Sequence, residues 1–180
     1  MTPVLETPRL ILRPAVIADL EAWAAYGADP DVMRHNGGVR SREQVFTALR
    51  NSIAAWKREG FHGFSVIHRE SGDWMGRVGP RRHDGLTEVG WGLASRWWGQ
   101  GYATEAAAAC LDFVFDALGW DEVVHAVPPD HHASQSVARK LGSVRLDLVE
   151  LPPPLGVREL WGQTREAWHK ARLDPGRVRA

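Results

Sequence analysis

In the stretch Arg96-Trp97-Trp98-Gly99-Gln100-Gly101-Tyr102-Ala103-Thr104-Glu105-Ala106, two glycines stand two apart, directly before a long alanine-rich apolar run. Just ahead lies Glu88-Val89-Gly90-Trp91-Gly92-Leu93, which suits a strand. The local order is therefore strand, glycine turn, helix. Glycine lets a backbone approach a ligand with no Cβ in the way. The first turn of a helix carries unpaired N–H groups and the positive end of the helix dipole. Together these suit an anion such as phosphate. Downstream, Ala103, Ala106, Ala107, Cys110, Phe113, Val114, Ala117 and Leu118 recur at three-and-four spacing. Glu105, Asp112 and Asp116 share the opposite face, and Gly119 supplies the stop.

Other uses of such a turn have different requirements. A dinucleotide fingerprint, G-x-G-x-x-G, needs a glycine where this chain has Thr104, and no βαβ unit opens the chain. A nucleotide-triphosphate loop needs Gly-Lys-Ser/Thr, which is absent. A plain strand-to-helix turn is the bland alternative. The flanking residues separate these. Arg96-x-x-Gly99-x-Gly101 fits the Q/R-x-x-G-x-G/A signature of the GCN5-related N-acetyltransferases (GNAT). The longer string from Glu88 through Leu93 and on from Trp98 to Ala106 resembles the branch that acetylates ribosomal-protein N-termini, the RimJ/RimL-like enzymes. So does the opening Thr7-Pro8-Arg9-Leu10-Ile11-Leu12-Arg13-Pro14.

The resemblance covers residues 7 to 168 and implies acetyl-coenzyme A as cosubstrate, its pyrophosphate held by backbone amides of the signature. It places Trp91, Leu93, Arg96, Trp98, Gly99, Gln100, Gly101, Tyr102, Ala103 and Thr104 around the coenzyme. A second segment, His131-His132-Ala133-Ser134-Gln135-Ser136-Val137-Ala138-Arg139-Lys140-Leu141-Gly142, resembles the family's N-x-x-S-x-x-V-x-x-K-L-G-F. There the asparagine and serine lie beside the pantetheine and thioester, which adds His131 and Ser134 to the coenzyme-binding set. His131 stands in place of the asparagine and Ser143 in place of the phenylalanine, both departures. Some relatives carry a tyrosine general acid four residues before the glycine; Ala138 stands there, so no such acid is assigned.

At 180 residues the chain is expected to form one domain, with a core over about 7–168 and a frayed tail over 169–180. Charge is balanced, 22 basic against 22 acidic residues, which argues against a general nucleic-acid surface. The single cysteine, Cys110, has no internal disulfide partner, which suits a reducing compartment. No signal peptide or bilayer-spanning run is seen, so a cytoplasmic location is expected, as monomer or homodimer.

The remaining pattern suggests α+β architecture: a mixed, mostly antiparallel sheet flanked by about four helices. Arg9 to Arg13 alternates as a strand, and Asp19 to Ala28 reads as a helix with Leu20, Trp23, Ala24 and Gly27 on one face. A mobile loop around Asn36-Gly37-Gly38 leads to a second helix with Val45, Leu49, Ile53 and Trp56 inward and Gly60 at its end. By resemblance, these two helices and their loop wall the acceptor site. Strands are expected over Phe61–His68, Trp74–Arg81 and Thr87–Leu93, with a tight turn at His83-Asp84-Gly85. A strand over Glu122–Val127, a helix over Ala133–Leu141, and a final pair, Val144–Val149 with Glu159–Ala167, complete the expectation.

Acetyl transfer needs a neutral amine, a polarised thioester and a departing thiolate. Deprotonating a lysine-like amine of pKa about 10.4 at pH 7 costs roughly 4–5 kcal/mol, whereas an α-amine near 7.7–8.0 costs about 1. Three residues are candidates for catalysis. Glu88, on the strand before the turn, is either a base acting through water or an ion-paired strand carboxylate. Ser134 either bonds the thioester region or caps a helix. His131 replaces the asparagine, serves as a base titrating near neutral pH, or is a solvated loop residue. Arg96 is expected near the phosphates, and Arg139 or Lys140 near the adenine end. Asp130-His131-His132 lacks an i, i+4 histidine pair or cysteine partner, so no metal site is assigned. Cys110, mid-helix on an apolar face, argues against a covalent enzyme intermediate. The acceptor is expected to be a primary amine, either a protein N-terminus or a small molecule such as an amino acid, polyamine or aminoglycoside. The rival function is a coenzyme A-binding regulatory module without turnover.

Overall fold

A computed structural model of the chain describes residues 3–83 and 85–173. The chain opens with β1 (Leu5–Glu6) and β2 (Leu10–Pro14), then α1 (Leu20–Ala28), a single turn α2 (Pro30–Met33) and α3 (Arg42–Glu59). The long helix begins in a capping box: Ser41 Oγ accepts from the Gln44 N–H and Gln44 Oε1 accepts from the Ser41 N–H. It ends at Gly60, left-handed at φ 76°. Next come β3 (Phe64–His68), β4 (Trp74–His83) and β5 (Leu86–Leu93), an antiparallel meander. The expected turn after His83 includes Asp84, which lies outside the described residues. Past the glycine turn are α4 (Tyr102–Asp112), β6 (Glu122–Val127), α5 (His132–Lys140), β7 (Val144–Leu151), β8 (Gly156–Thr164) and α6 (Arg165–Leu173).

The eight described strands form one sheet in the order β1-β2-β3-β4-β5-β6-β8-β7. Helix α4 covers one face, over Leu10, Leu12, Phe64, Val66, Met75 and Val89. Helices α1 and α3 cover the other, with Trp23, Tyr26, Val45 and Leu49 packed on Ile67 and Trp74. The α+β, mostly antiparallel architecture is as expected.

Three elements differ from expectation. Six helices are present among the described residues rather than about four, because α2 and α6 were not foreseen. Strand β8 stops at Thr164, whose hydroxyl accepts from the Ala167 N–H, and α6 occupies Arg165–Leu173 in place of a strand end and the start of a frayed tail. Trp168 anchors α6, 1% exposed, donating its indole N–H to Asp112 at 2.8 Å. Residues 174–180 lie outside the described residues. Finally, α4 widens into a π turn over Phe113–Ala117. Phe113, Val114 and Phe115 are consecutive and all buried, and the extra residue per turn brings all three inward, where a regular helix would turn one out.

The sheet has two halves, joined by its single parallel pairing. Strands β5 and β6 share one register pair, Glu88↔Val124, and then separate. At the separation a side chain replaces the ladder. His125 of β6 is 1% exposed, and its Nδ1–H donates to the Val89 carbonyl of β5 at 2.6 Å. A carbonyl only accepts, so this fixes the tautomer, and Nε2 accepts from the Ser143 hydroxyl at 3.1 Å. Ser143 Oγ in turn accepts from the Gln163 amide at 3.0 Å. The chain Val89–His125–Ser143–Gln163 thus ties β5, β6, the start of β7 and β8 together.

Burial pulls the His125 pKa down to about 4, against opposing pulls from the Val89 bond and the Glu88 charge. An unfolded histidine protonates near 6.5. Between these values the unfolded chain holds the extra proton, so stability falls as pH drops. The loss approaches about 3 kcal/mol for this one group. The thermal midpoint is expected to drop between pH 6.5 and 4, and His125→Asn to flatten that dependence while lowering stability at pH 7. An unchanged slope in the variant would assign the acid sensitivity elsewhere.

Candidate active site

The separation of β5 from β6 leaves an open edge. The Val89 carbonyl faces β6, because His125 bonds it there. The β4–β5 register is unbroken, so alternation turns the main-chain N–H and C=O of Trp91 and Leu93 to the same edge. The Leu93 carbonyl accepts the Trp98 indole N–H at 2.7 Å. Trp91 has no ladder partner on that edge among the described residues. An extended ligand with amide groups can therefore add to β5 as a strand would.

The open edge runs toward the glycine turn. Gly99 and Gly101 are left-handed, at φ 73° and 79°, a conformation that side chains with a Cβ rarely adopt. Trp97 and Trp98 N–H groups bond Ala94 and Ser95 carbonyls, and the Glu105 N–H bonds the Gly101 carbonyl. Between them, the six N–H groups of Gly99, Gln100, Gly101, Tyr102, Ala103 and Thr104 have no acceptor among the described residues. They lie in and just before the first turn of α4, at its positive end. No Cβ-bearing cap fills the position, since Gly101 is the N-cap. These features fit a pyrophosphate.

Arg9, from just before β2, braces this turn, a role its strand pattern did not reveal. Its guanidinium donates to the Gln100 carbonyl at 3.0 Å and to Glu105 at 2.6 Å, and lies 4.2 Å from the Tyr102 ring centre. Glu105 also accepts from the Thr7 hydroxyl at 2.6 Å. Although burial pushes the Glu105 carboxyl up, the bonds from Thr7 and Arg9 outweigh it and hold the pKa below the usual range. The nearest carboxylate to the phosphate cradle is thus already neutralised by a partner. Arg96 is exposed, stacked over Trp97 and 3.9 Å from Asp73. Trp98 is 49% exposed and borders the edge, while Trp97 sits half-buried against His68 and Tyr102. Arg139 is drawn over Trp161, and Lys140 is exposed beside it.

Glu88 lies at the fork itself, 4% exposed, with Arg81 Nη2 3.0 Å from its Oε1. It is a buried and ion-paired carboxylate, not a solvated one. Register pairs share a face, so Arg81 and Glu88, Gly79 and Gly90, and Arg77 and Gly92 all point to the α1–α3 side. Glycines 90 and 92 keep that floor low; the Tyr26 hydroxyl sits directly over Gly92.

Ser134 is half-buried at the third position of α5. The N-cap is His131, so the helix-cap alternative for Ser134 is overturned: capping needs the residue before the first turn, and α5 starts three residues earlier than that alternative requires. His131 stacks on His35 with ring centres 4.3 Å apart. Titration near neutral pH is also overturned: burial, then the neighbouring His35 charge, pull its pKa down to about 4, with Asp130 opposing. His131 is therefore neutral throughout pH 5–8. Cys110 is fully buried, and burial pushes its thiol pKa up, which keeps it unreactive.

An amide cradle at a helix head, opening onto a parted pair of parallel strands, is an arrangement suited to a ligand that carries phosphate and amide groups. The chain belongs to the GNAT acetyltransferase family: residues 9–144 match the Acetyltransferase (GNAT) domain. It is 33% identical over 187 aligned residues to the FsC-acetyl coenzyme A-N(2)-transacetylase of Aspergillus fumigatus, covering 92% of this chain and 78% of that one. The fold matches a GNAT-family acetyltransferase from Bacillus anthracis with a TM-score of 0.81, at 23% identity over 91% of this chain and 99% of that one. It also matches the ribosomal-protein-S5-alanine acetyltransferase of Vibrio fischeri, with a TM-score of 0.71 at 19% identity, over 92% and 98% of the two chains. No helix among the described residues is long and apolar enough to cross a membrane.

Gly101→Val is expected to abolish acetyl-coenzyme A binding while cooperative unfolding survives, because its Cβ would meet only the flexible end of Arg9, 3.5 Å away, yet the left-handed backbone is lost. Titration calorimetry gives the answer; unchanged affinity in the folded variant would remove the phosphate assignment.

Proposed function

We propose that this chain transfers the acetyl group of acetyl-coenzyme A to a primary amine by direct attack, with Glu88 as the base acting through water. The six unpartnered N–H groups from Gly99 to Thr104, set beside the open edge of β5, carry this reading. In it the cradle takes the pyrophosphate, and the main chain of Trp91 and Leu93 takes the amides of the pantetheine arm. The thioester then lies at the fork. The coenzyme supplies the acetyl thioester: the amine nitrogen bonds the carbonyl carbon, the carbon–sulfur bond breaks, and sulfur leaves as thiolate.

Glu88 faces the α1–α3 side of the fork, where an amine would arrive. Arg81 holds its Oε1 from β4, so the carboxylate has a fixed direction. Ser134, in the first turn of α5, is the candidate to bond the carbonyl or departing sulfur. The acceptor class rests on resemblance: a protein N-terminus first, a small amine second. The Ser143 departure from the family pattern has a structural cause, its bond to His125, so it does not favour a module without turnover.

Thiol release measured across an amine panel tests the activity; coenzyme binding with no release on any amine would favour the module. Glu88→Gln is expected to lower kcat/KM roughly 10²-fold. The loss should shrink as pH rises, and be smaller for an α-amine than for a lysine-like amine, following the difference in deprotonation cost. With its pKa at about 4, His131 should add no limb to the profile between pH 5 and 8. Equal activity of wild type and Glu88→Gln at every pH would leave Glu88 as a structural ion pair.

A further inference from the structure

Beside the fork, on the α1–α3 side, the loop after α2, the end of β6 and the β7–β8 hairpin enclose a cavity of about 370 Å³. Its charged lining is Arg34, Arg158 and Asp130, with the His35 ring among them. Asp130, the only carboxylate in that lining, is already 3.6 Å from His35 Nδ1. Arg158 is 8% exposed, yet its guanidinium donates only to two carbonyls, Val157 at 2.9 Å and His35 at 3.1 Å. No carboxylate pairs with it among the described residues. The Asp130 and Glu88 charges act on it from a distance, but neither carboxylate bonds it, so its remaining N–H groups are open to an anion.

The placement links this cation to Glu88. Glu88 pairs with Val124, which pairs with Gly162 across β6 and β8. Arg158 lies four residues from Gly162 along β8, so it shares that face, roughly 13 Å along the strand. Both side chains reach inward from those positions, and the Glu88 charge is felt at Arg158. A second guanidinium on the same face, Arg77, packs 4.7 Å from the Trp23 ring centre with its Nε buried and unpartnered. The whole chain is neutral, but Arg34, Arg77, Arg81 and Arg158 stand near this cavity and the fork, together with Glu88 and Asp130.

We infer that the acceptor is an amine bearing its own carboxylate, with the carboxylate bound by Arg158 in this cavity while the amine sits at Glu88. This rests on the acetyl-transfer reading above and names its substrate class. The same cations favour the neutral, reactive form of the amine. They repel polyamines and aminoglycosides, which carry several positive charges. A free amino acid and a peptide N-terminus followed by an acidic residue present the same chemistry.

The test uses the full chain saturated with acetyl-coenzyme A and matched acceptors: amino acids against their neutral amides, and peptides with an early glutamate against those with glutamine. Thiol release should favour the carboxylate forms roughly 10- to 100-fold, mainly in KM, as loss of a charge-assisted pair implies. Arg158→Gln should erase that preference, mainly by raising KM for the carboxylate forms, and Arg158→Lys should restore part of it. Arg34→Gln, at an exposed position, checks that the cavity's field contributes without endangering the fold. The free-acid and peptide arms show which source of carboxylate fits. Turnover equal for acid and amide, or best with polyamines, overturns the inference while acetyl transfer stands. Calorimetry with the coenzyme A complex separates the other failure: Arg158-dependent binding of the acids without thiol release keeps the anion site and removes turnover.

Discussion

The parting of β5 from β6 is the constraint on which the rest of the molecule depends. Two hydrogen-bonded strands would leave no edge for a ligand. Two separated strands would expose main-chain groups at the centre of the sheet, which is costly. The chain meets both demands with one side chain. His125 supplies the donor that the ladder no longer provides at Val89, and does so through a neutral ring fully satisfied by Ser143. Beyond that point the edge stays open at Trp91 and at the Leu93 N–H, and the Trp98 indole satisfies the Leu93 carbonyl. The cleft is thus bounded by side-chain hydrogen bonds at both ends.

Electrostatics divide the site in two. At the head of α4 the positive character comes from main-chain dipoles, and the nearest carboxylate is locked by Thr7 and Arg9. On the α1–α3 face it comes from guanidiniums, among which Arg81 meets the Glu88 carboxylate directly. Local fields of this kind are invisible in a net charge of zero, because the sum carries no information on where each charge lies.

Local signals carried the reading of the sequence as far as they extend. The glycine turn, the strand before it and the run of alanines after it are short-range patterns, and each fell where expected. Strand β6 matched residue for residue. What escaped was set by distant partners. His125 hides in an apolar strand, and only the fold brings Val89 and Ser143 to its two nitrogens. Arg158 looks like one more strand cation until β8 places it beside the cavity. The depressed His131 pKa comes from burial first and then from His35, nearly a hundred positions away. Helix α6 did leave a trace: Thr164 ahead of Glu166, Trp168, Ala171 and Arg172 carries cap and helical spacing, but the preceding strand pattern runs into it without a break.

The central claim is that the main-chain amides of Gly99 to Thr104 receive the coenzyme's phosphates while the open edge of β5 receives its amide arm. Backbone amide resonances of the 180-residue chain, followed as acetyl-coenzyme A is added, address it directly. The account predicts that the Gly99–Thr104 amides shift most and become protected from exchange, with Trp91 and Leu93 following, while the sheet from β1 to β3 stays unperturbed. Saturable binding that leaves Gly99–Thr104 unmoved, with the largest shifts elsewhere, would contradict it.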